Sequence, residues 1–160
     1  MGFPLPNASL NQVLGPPMTH RFGVYFFAAG IIQNPLDIRF QEVSGLQAAI
    51  TTRPDTSAAS SLCKKLIPTG IDYGDLELRR GLVMGSPLAQ QIQATFNDFK
   101  FIRSDVLLTI FSEAAVPTHA FLFAEAYPIG WSINSLSATT EDILIESLQL
   151  TYTRVRTVSL

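Results

Sequence analysis

The feature that most limits the fold is an alternation of apolar and polar side chains that recurs between glycine and proline breaks. Leu36, Ile38 and Phe40 alternate with polar residues, and so do Leu76 and Leu78. Because successive side chains of a β-strand point to opposite faces of the sheet, this pattern predicts strands with one buried face. The chain is therefore expected to fold mainly as β structure.

Further segments are predicted as strands on related grounds. Residues 21–29 are aromatic and β-branched on both alternations, which is typical of a strand covered on both faces, so we expect this strand to be central. Strands are also predicted at residues 106–111, 120–127 and 143–152. Gly45 interrupts the second alternating segment and predicts a β-bulge or a sharp bend there.

One segment has helical spacing instead. Ser86 followed by Pro87 predicts a helix start, because the serine hydroxyl can cap free amides and proline at the first helical position loses no hydrogen bond. An apolar stripe follows, formed by Leu88, Ile92, Phe96 and Phe99. Six or more strands and one helix favour a mainly antiparallel β-barrel or β-sandwich.

The domain organisation follows from where these patterns stop. Residues 1–20 hold four prolines and no lysine or arginine, and we interpret them as an extended arm without a signal peptide. Residues 21–160 are expected to form one domain. Within it, residues 51–75 show no sustained period, so we interpret them as a long loop that either contacts a neighbour or is simply flexible.

The composition indicates a subunit of an assembly. Charged residues make up 15% of the chain, where soluble domains carry about 25%. A surface this poor in charge favours contact with other protein. The net charge of −2 argues against nucleic acid as a specific partner, because phosphate binding needs a basic face. No apolar run is long enough to span a membrane.

A search for catalytic or cofactor motifs finds no phosphate-binding loop, nucleophile elbow or metal-binding histidine pair. Glu125 and Glu146 stand in apolar strands and would be the paired acids of a hydrolase, but strand carboxylates more often bond to arginine or face solvent. We interpret the basic pairs Lys64-Lys65 and Arg79-Arg80 as solvated positions. Neither an enzyme nor a cofactor or metal site is predicted.

Four motifs in order resemble one known family. Residues 40–46 are similar to a Phe-x-x-Val-Ser-Gly-Leu segment and residues 76–81 to Leu-x-Leu-Lys/Arg-Arg-Gly. Residues 126–131 are similar to Ala-x-Pro-x-x-Trp and residues 143–150 to a closing Val-x-Ile-Glu-x-Leu-x-Leu strand. These segments belong to the tail-tube proteins of contractile phages and of phage-tail-like contractile injection systems. The resemblance covers about residues 20–156.

The resemblance implies a compact β-barrel with one flanking helix, assembled as a hexameric ring whose inner strands join into a tube wall. The implied partners are adjacent tube rings, spike or baseplate proteins and the sheath. Residues 51–74 lack the Tyr-x-x-Gly turn and the Pro-Gly pair of main tube proteins, and residues 35–40 look like the shorter relatives that form a tube-initiating ring. We therefore favour the initiator, with the main tube subunit as the alternative. Such a protein would assemble in the bacterial cytoplasm and end in a virion or phage-tail-like particle.

Two other classes remain open, namely a lipocalin-like barrel that binds an apolar ligand and an enzyme. If the ring interpretation holds, exposed polar residues of the strands and of the 51–74 segment are the natural subunit contacts. The candidate interface residues are Arg39, Gln41, Arg53, Asp55, Arg79 and Glu146.

Overall fold

The computed structural model describes residues 21–28, 31–32, 39–55, 65–83, 85–136, 138–139 and 142–158. The predicted arm at residues 1–20 and the part of the second predicted strand at residues 36–38 lie outside these ranges. The described part contains ten strands and one helix, α1 (Pro87–Asp98). The strands are β1 (Phe22–Ala28), β2 (Ile31–Ile32), β3 (Glu42–Ser44), β4 (Ala48–Pro54), β5 (Leu66–Tyr73), β6 (Leu76–Gly81), β7 (Ser104–Phe111), β8 (Pro117–Ile133), β9 (Ile145–Thr151) and β10 (Arg154–Val158).

All described pairings are antiparallel, which confirms the predicted mainly β fold. The strand order is β2-β1-β7-β8-β9-β6-β3, with β10 also paired to β8, and β4 pairs only with β5. The strand β1, which was expected to be central, lies next to the short β2 at one end of this order. Val24 and Phe26 on one face are buried in the core, whereas Tyr25 and Phe27 on the other face are only half-buried, so the prediction of two covered faces is correct for one face.

The long strand β8 joins two halves of the sheet. Along one edge it pairs first with β10 and then with β9 in unbroken register, from Ala120 opposite Val158 to Tyr127 opposite Thr151. Along its other edge it pairs with β7, and that pairing ends where Ala126 lies opposite Ser104. The amino-terminal half of β8 therefore has two partners, and the carboxy-terminal half has one.

A bulge bends β8 between these halves. Ala124 and Glu125 stand together opposite Asp105, and Glu125 takes a left-handed conformation with φ 55°. The Asp105 carboxylate accepts a hydrogen bond of 2.9 Å from the Glu125 amide, and the Thr153 amide donates to the Ala124 carbonyl at 3.0 Å. An extra residue in one strand increases its twist and turns it. This allows β8 to serve both halves of the sheet.

The helix begins as predicted. The Ser86 hydroxyl accepts a hydrogen bond of 3.1 Å from the Ala89 amide, and Pro87 opens the first turn. The apolar stripe is only partly correct, because Leu88 and Ile92 are buried while Phe96 and Phe99 are exposed. After Ile92 the next buried residue of the helix is Thr95, not Phe96. Because α1 ends at Asp98, Phe99 lies outside the helix, and the helical spacing does not determine where its side chain points.

The prediction of a long loop at residues 51–75 is wrong for residues 51–54 and 66–73, which form strands, while residues 56–64 lie outside the described ranges. Strands β4 and β5 form a hairpin, with Ala48 opposite Tyr73 at its root and Pro54 opposite Leu66 towards its tip. Nearly every residue of both strands is exposed, so neither face imposes an alternation on the sequence. A two-stranded ribbon also consists only of edge strands, which tolerate the proline and glycine that suggested a loop.

The strand predicted at residues 120–127 is longer than expected. It continues through Pro128 and reaches Ile133, with a register shift between Pro128 and Gly130. Proline is compatible with a strand that has only one partner, because its missing N–H can lie on the open side. The bend predicted at Gly45 is confirmed, since Gly45 has φ +82° and the chain leaves β3 there.

Candidate functional site: an open sheet edge and a projecting hairpin

Four strands form a sheet with two open edges. In the order β3-β6-β9-β8, each strand is antiparallel to the next, so β3 and the carboxy-terminal half of β8 run in opposite directions. Among the described strands, only β6 pairs with β3, and only β9 pairs with residues 127–133. An open edge presents unpaired backbone donors and acceptors and invites pairing with another chain.

The two faces of this sheet differ in chemistry. One face carries core side chains such as Leu76, Leu78 and Leu148, which are buried. The other face is polar and made largely of small or uncharged side chains. It carries Glu42, Ser44, Glu77, Arg79, Gly130, Ser132, Ser147 and Gln149, from the register of the four strands. Two carboxylates, Glu42 and Glu77, are among these residues, and Arg79 forms an ion pair of 3.0 Å with Glu42.

A buried ion pair ties this sheet to the helix. The Arg80 guanidinium donates from Nε to Glu146 Oε1 at 2.5 Å and from Nη2 to the Ser86 hydroxyl at 3.1 Å. Trp131 Nε1 donates to the second oxygen of Glu146 at 3.4 Å. The Arg80 guanidinium also lies 5.4 Å from the centre of the Phe40 ring, within reach of a cation–π contact. The cluster thereby fixes Trp131 on the open-edge strand relative to β6, β9 and α1.

The interpretation of Arg79-Arg80 as a solvated pair is wrong for Arg80. Arg79 is partly exposed, whereas Arg80 is 1% exposed. The alternation contained the necessary signal, because Arg80 continues the buried series of Leu76 and Leu78, and Glu146 precedes Leu148 at the same spacing. Two opposite charges on facing core positions of neighbouring strands predict a buried pair.

The hairpin formed by β4 and β5 carries apolar side chains that the described part of the chain leaves uncovered. Ile50 and Ile71 are directly opposite each other and are 69% and 59% exposed. Leu46 and Leu66 are also exposed. Among the described residues, the root is anchored by Tyr73, which packs against Tyr152 with ring centres 5.7 Å apart. Because an isolated two-stranded hairpin is at best marginally stable in water, this one is suited to contact with a partner.

A second uncovered apolar surface lies on the loop between α1 and β7, residues 99–103, which we call the aromatic loop. Phe99 has φ 54° and is 82% exposed. The Phe101 ring packs edge-on against Phe99 at 4.8 Å and against Tyr127 at 5.6 Å. Since Tyr127 is the first residue of the open edge of β8, the aromatic loop borders that edge.

The predicted interface residues occupy different environments. Arg39 and Gln41 are exposed beside β3, where the Gln41 amide donates to the Arg79 carbonyl at 2.8 Å. Arg53 is exposed on β4, and Asp55 is half-buried, 3.6 Å from the Lys65 ammonium. Contact with another subunit stays a prediction for all six residues. Glu146 is already engaged with Arg80 inside its own chain, so its contribution to an interface would be indirect.

The described residues do not bring together the paired acids of a hydrolase. Glu125 lies at the bulge beside Thr153 and Arg103, whereas Glu146 lies opposite Ile133 at the other end of the β8–β9 ladder. Within the described ranges, no group of three or more metal-ligating side chains forms a metal site. No helix of the described chain is long and apolar enough to cross a membrane.

Solved structures share this architecture. A chain of the six-fold symmetrised baseplate of the anti-feeding prophage has a TM-score of 0.80 and 27% identity, over 89% of this chain and 95% of that one. A chain of the sheath-tube complex of the extracellular contractile injection system PVC has a TM-score of 0.74 and 21% identity, over 98% and 100%. A chain of the tube-terminating cap of the anti-feeding prophage has a TM-score of 0.73 and 20% identity, over 91% and 92%.

The sequence itself carries the family assignment. No curated protein matches the chain significantly. The family model described as T4-like virus tail tube protein gp19 matches residues 18–156, which include the four-stranded sheet, the hairpin and the helix. Together with the structural likeness to contractile-injection-system components, this confirms the resemblance seen in the four motifs. The chain is therefore a structural component of a phage tail or contractile injection system and belongs to the T4-like virus tail tube protein gp19 family.

Proposed function

We propose that this chain forms a hexameric tube-initiator ring that joins the baseplate spike to the inner tube of a contractile injection particle. The observation that carries the proposal is the four-stranded sheet with two open edges of opposite direction. Its assembly would proceed in the bacterial cytoplasm, and the finished ring would have no catalytic role, cofactor or metal.

The sheet is built to close head to tail. Because β3 and the open part of β8 are antiparallel within one copy, the β3 edge of the next copy can pair antiparallel with the β8 edge of the first. Repeating this heterologous contact around an axis generates a ring, and closure removes every open edge of the sheet. The ring wall would then be one continuous barrel.

The chemistry of the two faces sets the orientation of this barrel. The apolar face is already covered by the rest of the same copy, so the polar face is left to line the lumen. Within that face, Glu77 is exposed and Arg79 is paired with Glu42. A lumen lined mainly by small polar side chains with a slight acidic excess provides little apolar surface on which a passing molecule would adhere.

The initiator role is favoured over the main tube subunit by two observations. The baseplate chain exceeds both the tube and the cap chains described above in identity and TM-score. Residues 35–40 also resemble initiator relatives rather than main tube proteins. The main tube subunit remains the second candidate, because the sheath-tube chain matches over nearly the whole of both chains. A lipocalin-like barrel is not favoured, since the space between the strands is filled by buried core side chains.

The distinction can be tested by copy number and by self-assembly. An initiator ring meets a different partner on each axial side, whereas a main tube subunit stacks on itself without limit. Purified protein should stop at single rings when viewed by electron microscopy, and mass spectrometry of intact particles should find one ring's worth of the chain. Long self-assembled tubes, or a copy number rivalling the sheath, would refute the initiator role and favour the main tube subunit.

The edge pairing can be tested with Arg39→Glu. Arg39 is exposed three residues before β3 begins, so reversing its charge should weaken ring assembly by like-charge repulsion while leaving the fold intact. Arg156→Glu, on the exposed face of β10, is the matched control and should assemble normally. Native mass spectrometry measures the ring fraction, and thermal melting measures the fold. Normal rings together with a lowered melting temperature in Arg39→Glu would contradict the placement of β3 at the interface.

The hairpin offers a third test of assembly. We expect its distal part, towards Arg53 and Leu66, to become protected only against an adjacent ring or baseplate protein. Amides of β4 and β5 should exchange rapidly in free subunits and slowly in particles, while those of the buried strand β6 serve as an internal control. Full protection of the hairpin in free subunits would show that it is stable without a partner.

A further inference from the structure

We propose that the aromatic loop of each copy binds the root of the β4–β5 hairpin of the next copy within the same ring. This inference rests on the proposed pairing of the β3 and β8 edges. It adds a second contact that neither the fold nor the strand pairing requires, between the aromatic pair Phe99 and Phe101 and the aliphatic residues Leu46, Ile50 and Ile71.

The first step is that β7 and the neighbouring copy use the same edge of β8. β7 occupies that edge up to the pair Ser104 and Ala126, and the open part starts at Tyr127. The aromatic loop leads directly into Ser104. A strand docked on the open part therefore has the aromatic loop at one of its ends.

The second step identifies which end of the neighbour's β3 lies next to the aromatic loop, namely its carboxy-terminal end. Within one copy, Ser44 of β3 lies opposite Glu77 of β6. The residue next to Glu77 is Leu76, and Leu76 lies opposite Leu150 of β9. Tyr127 lies opposite Thr151 at this same end of the sheet. A ring keeps the axial direction of every copy, so the neighbour's β3 runs towards Tyr127 with Ser44 as its leading end.

The third step concerns what the neighbouring chain does after Ser44. It cannot continue along β8 beyond Tyr127, because β7 pairs with that edge from Ala126 towards the amino terminus of β8. Its next residue is Gly45, whose φ of +82° turns the chain out of the sheet and into the hairpin. A side chain is excluded here, since a Cβ on Gly45 would lie 1.9 Å from the Asp75 carbonyl oxygen. The hairpin root is thus directed past the aromatic loop.

The surfaces that meet are complementary. The aromatic loop presents two aromatic rings, and the hairpin root presents an exposed cross-strand isoleucine pair, neither of which is covered by the described part of its own chain. Burying aromatic side chains at the centre of a contact is what gives protein interfaces most of their affinity.

Crosslinking in purified single rings tests this contact. In a Cys63→Ser background, which removes the only cysteine of the chain, Phe99→Cys is combined in turn with Leu46→Cys, Ile50→Cys and Ile71→Cys. At least one pair should oxidise to a covalent ladder that ends at the ring's own subunit number on a non-reducing gel. Val116→Cys, at the exposed β7–β8 turn, replaces Phe99→Cys as the matched control and should give no ladder.

The outcomes separate this inference from the proposed function. Rings that form normally but yield no ladder with any of the three pairs would overturn the contact and leave the ring intact. Crosslinks that appear only in stacked rings would overturn it as well, because the hairpin would then bind across rings. Failure to form rings under any condition would refute both proposals.

A second measurement does not depend on disulfide geometry. Replacing both Phe99 and Phe101 with serine should weaken ring assembly about tenfold, as expected for aromatic residues central to an interface. Because both positions are exposed, the subunit should keep its fold, and thermal melting checks this directly. Val116→Ser, with a similarly exposed apolar side chain, should leave the assembly constant unchanged. Unchanged assembly in the Phe99 and Phe101 variant would overturn the contact.

Discussion

Removing Glu146 from the buried ion pair should destabilise the subunit far more than removing the surface charge of Arg79, the residue next to Arg80. In Glu146→Leu, the Arg80 guanidinium would keep its bond to Ser86 but lose the carboxylate 2.5 Å from its Nε. The side chains of Arg80 and Glu146 are 1% and 4% exposed, so water cannot replace the lost partner. A buried charge left without its partner costs about 3–5 kcal/mol of unfolding free energy.

The structure supplies a matched control in the neighbouring residue. Arg79 pairs with Glu42 at 3.0 Å, but their side chains are 41% and 55% exposed. Solvent screens such a pair, so Arg79→Met should change the free energy of unfolding by at most about 1 kcal/mol. For a chain of this size, each kcal/mol shifts the melting temperature by roughly 2–4 °C. The two variants should therefore differ clearly in a thermal scan.

Urea unfolding of the single and double variants measures the effect. The double variant Arg80→Met with Glu146→Leu removes both charges and should recover most of the stability lost in Glu146→Leu, because apolar side chains of similar volume can fill the site. A loss below about 1 kcal/mol in Glu146→Leu, or no recovery in the double variant, would refute the view that the charges depend on each other.

Three further predictions concern backbone strain and pH. Gly45→Ala should lower the free energy of unfolding in urea by roughly 2–5 kcal/mol, because its Cβ would overlap the Asp75 carbonyl oxygen. Gly85→Ala, also at positive φ but with open space around it, should lower it by only about 1 kcal/mol. Equal losses would contradict the steric argument. Glu125→Gly should gain roughly 0.5 kcal/mol by relieving its left-handed conformation, and a loss would show that its side-chain bonds outweigh the strain. Burial, and then the charge of Asp75, raise the pKa of Tyr152. The protonated Tyr152 hydroxyl therefore contributes its full stability below about pH 10, and this contribution is lost as the pH rises through the raised pKa of the folded state. The unfolding free energy of Tyr152→Phe should therefore fall less steeply with pH above about 10 than that of the unmodified protein. Identical slopes of unfolding free energy against pH would contradict this.

Local sequence patterns were sufficient to predict those strands and that helix in which one face is buried and the other is exposed. Strand β6 was predictable because Leu76 and Leu78 are buried and Glu77 between them is exposed. Helix α1 was predictable because Ser86 and Pro87 act within its first turn. The four motifs also indicated the family, and the match over residues 18–156 confirms it. Each of these signals is contained in a few neighbouring residues.

Only the tertiary structure determined the contacts and strand pairings between residues that are distant in the sequence. The hairpin of β4 and β5 escaped prediction because it buries neither face within the chain, so nothing constrains its sequence to alternate. The burial of Arg80 depends on Glu146, a residue from another strand, and on the serine that caps the helix. Likewise, the open edge of β8 exists because β7 begins at Ser104, opposite Ala126, while β8 continues to Ile133. No local pattern in β8 shows where its partner strand begins.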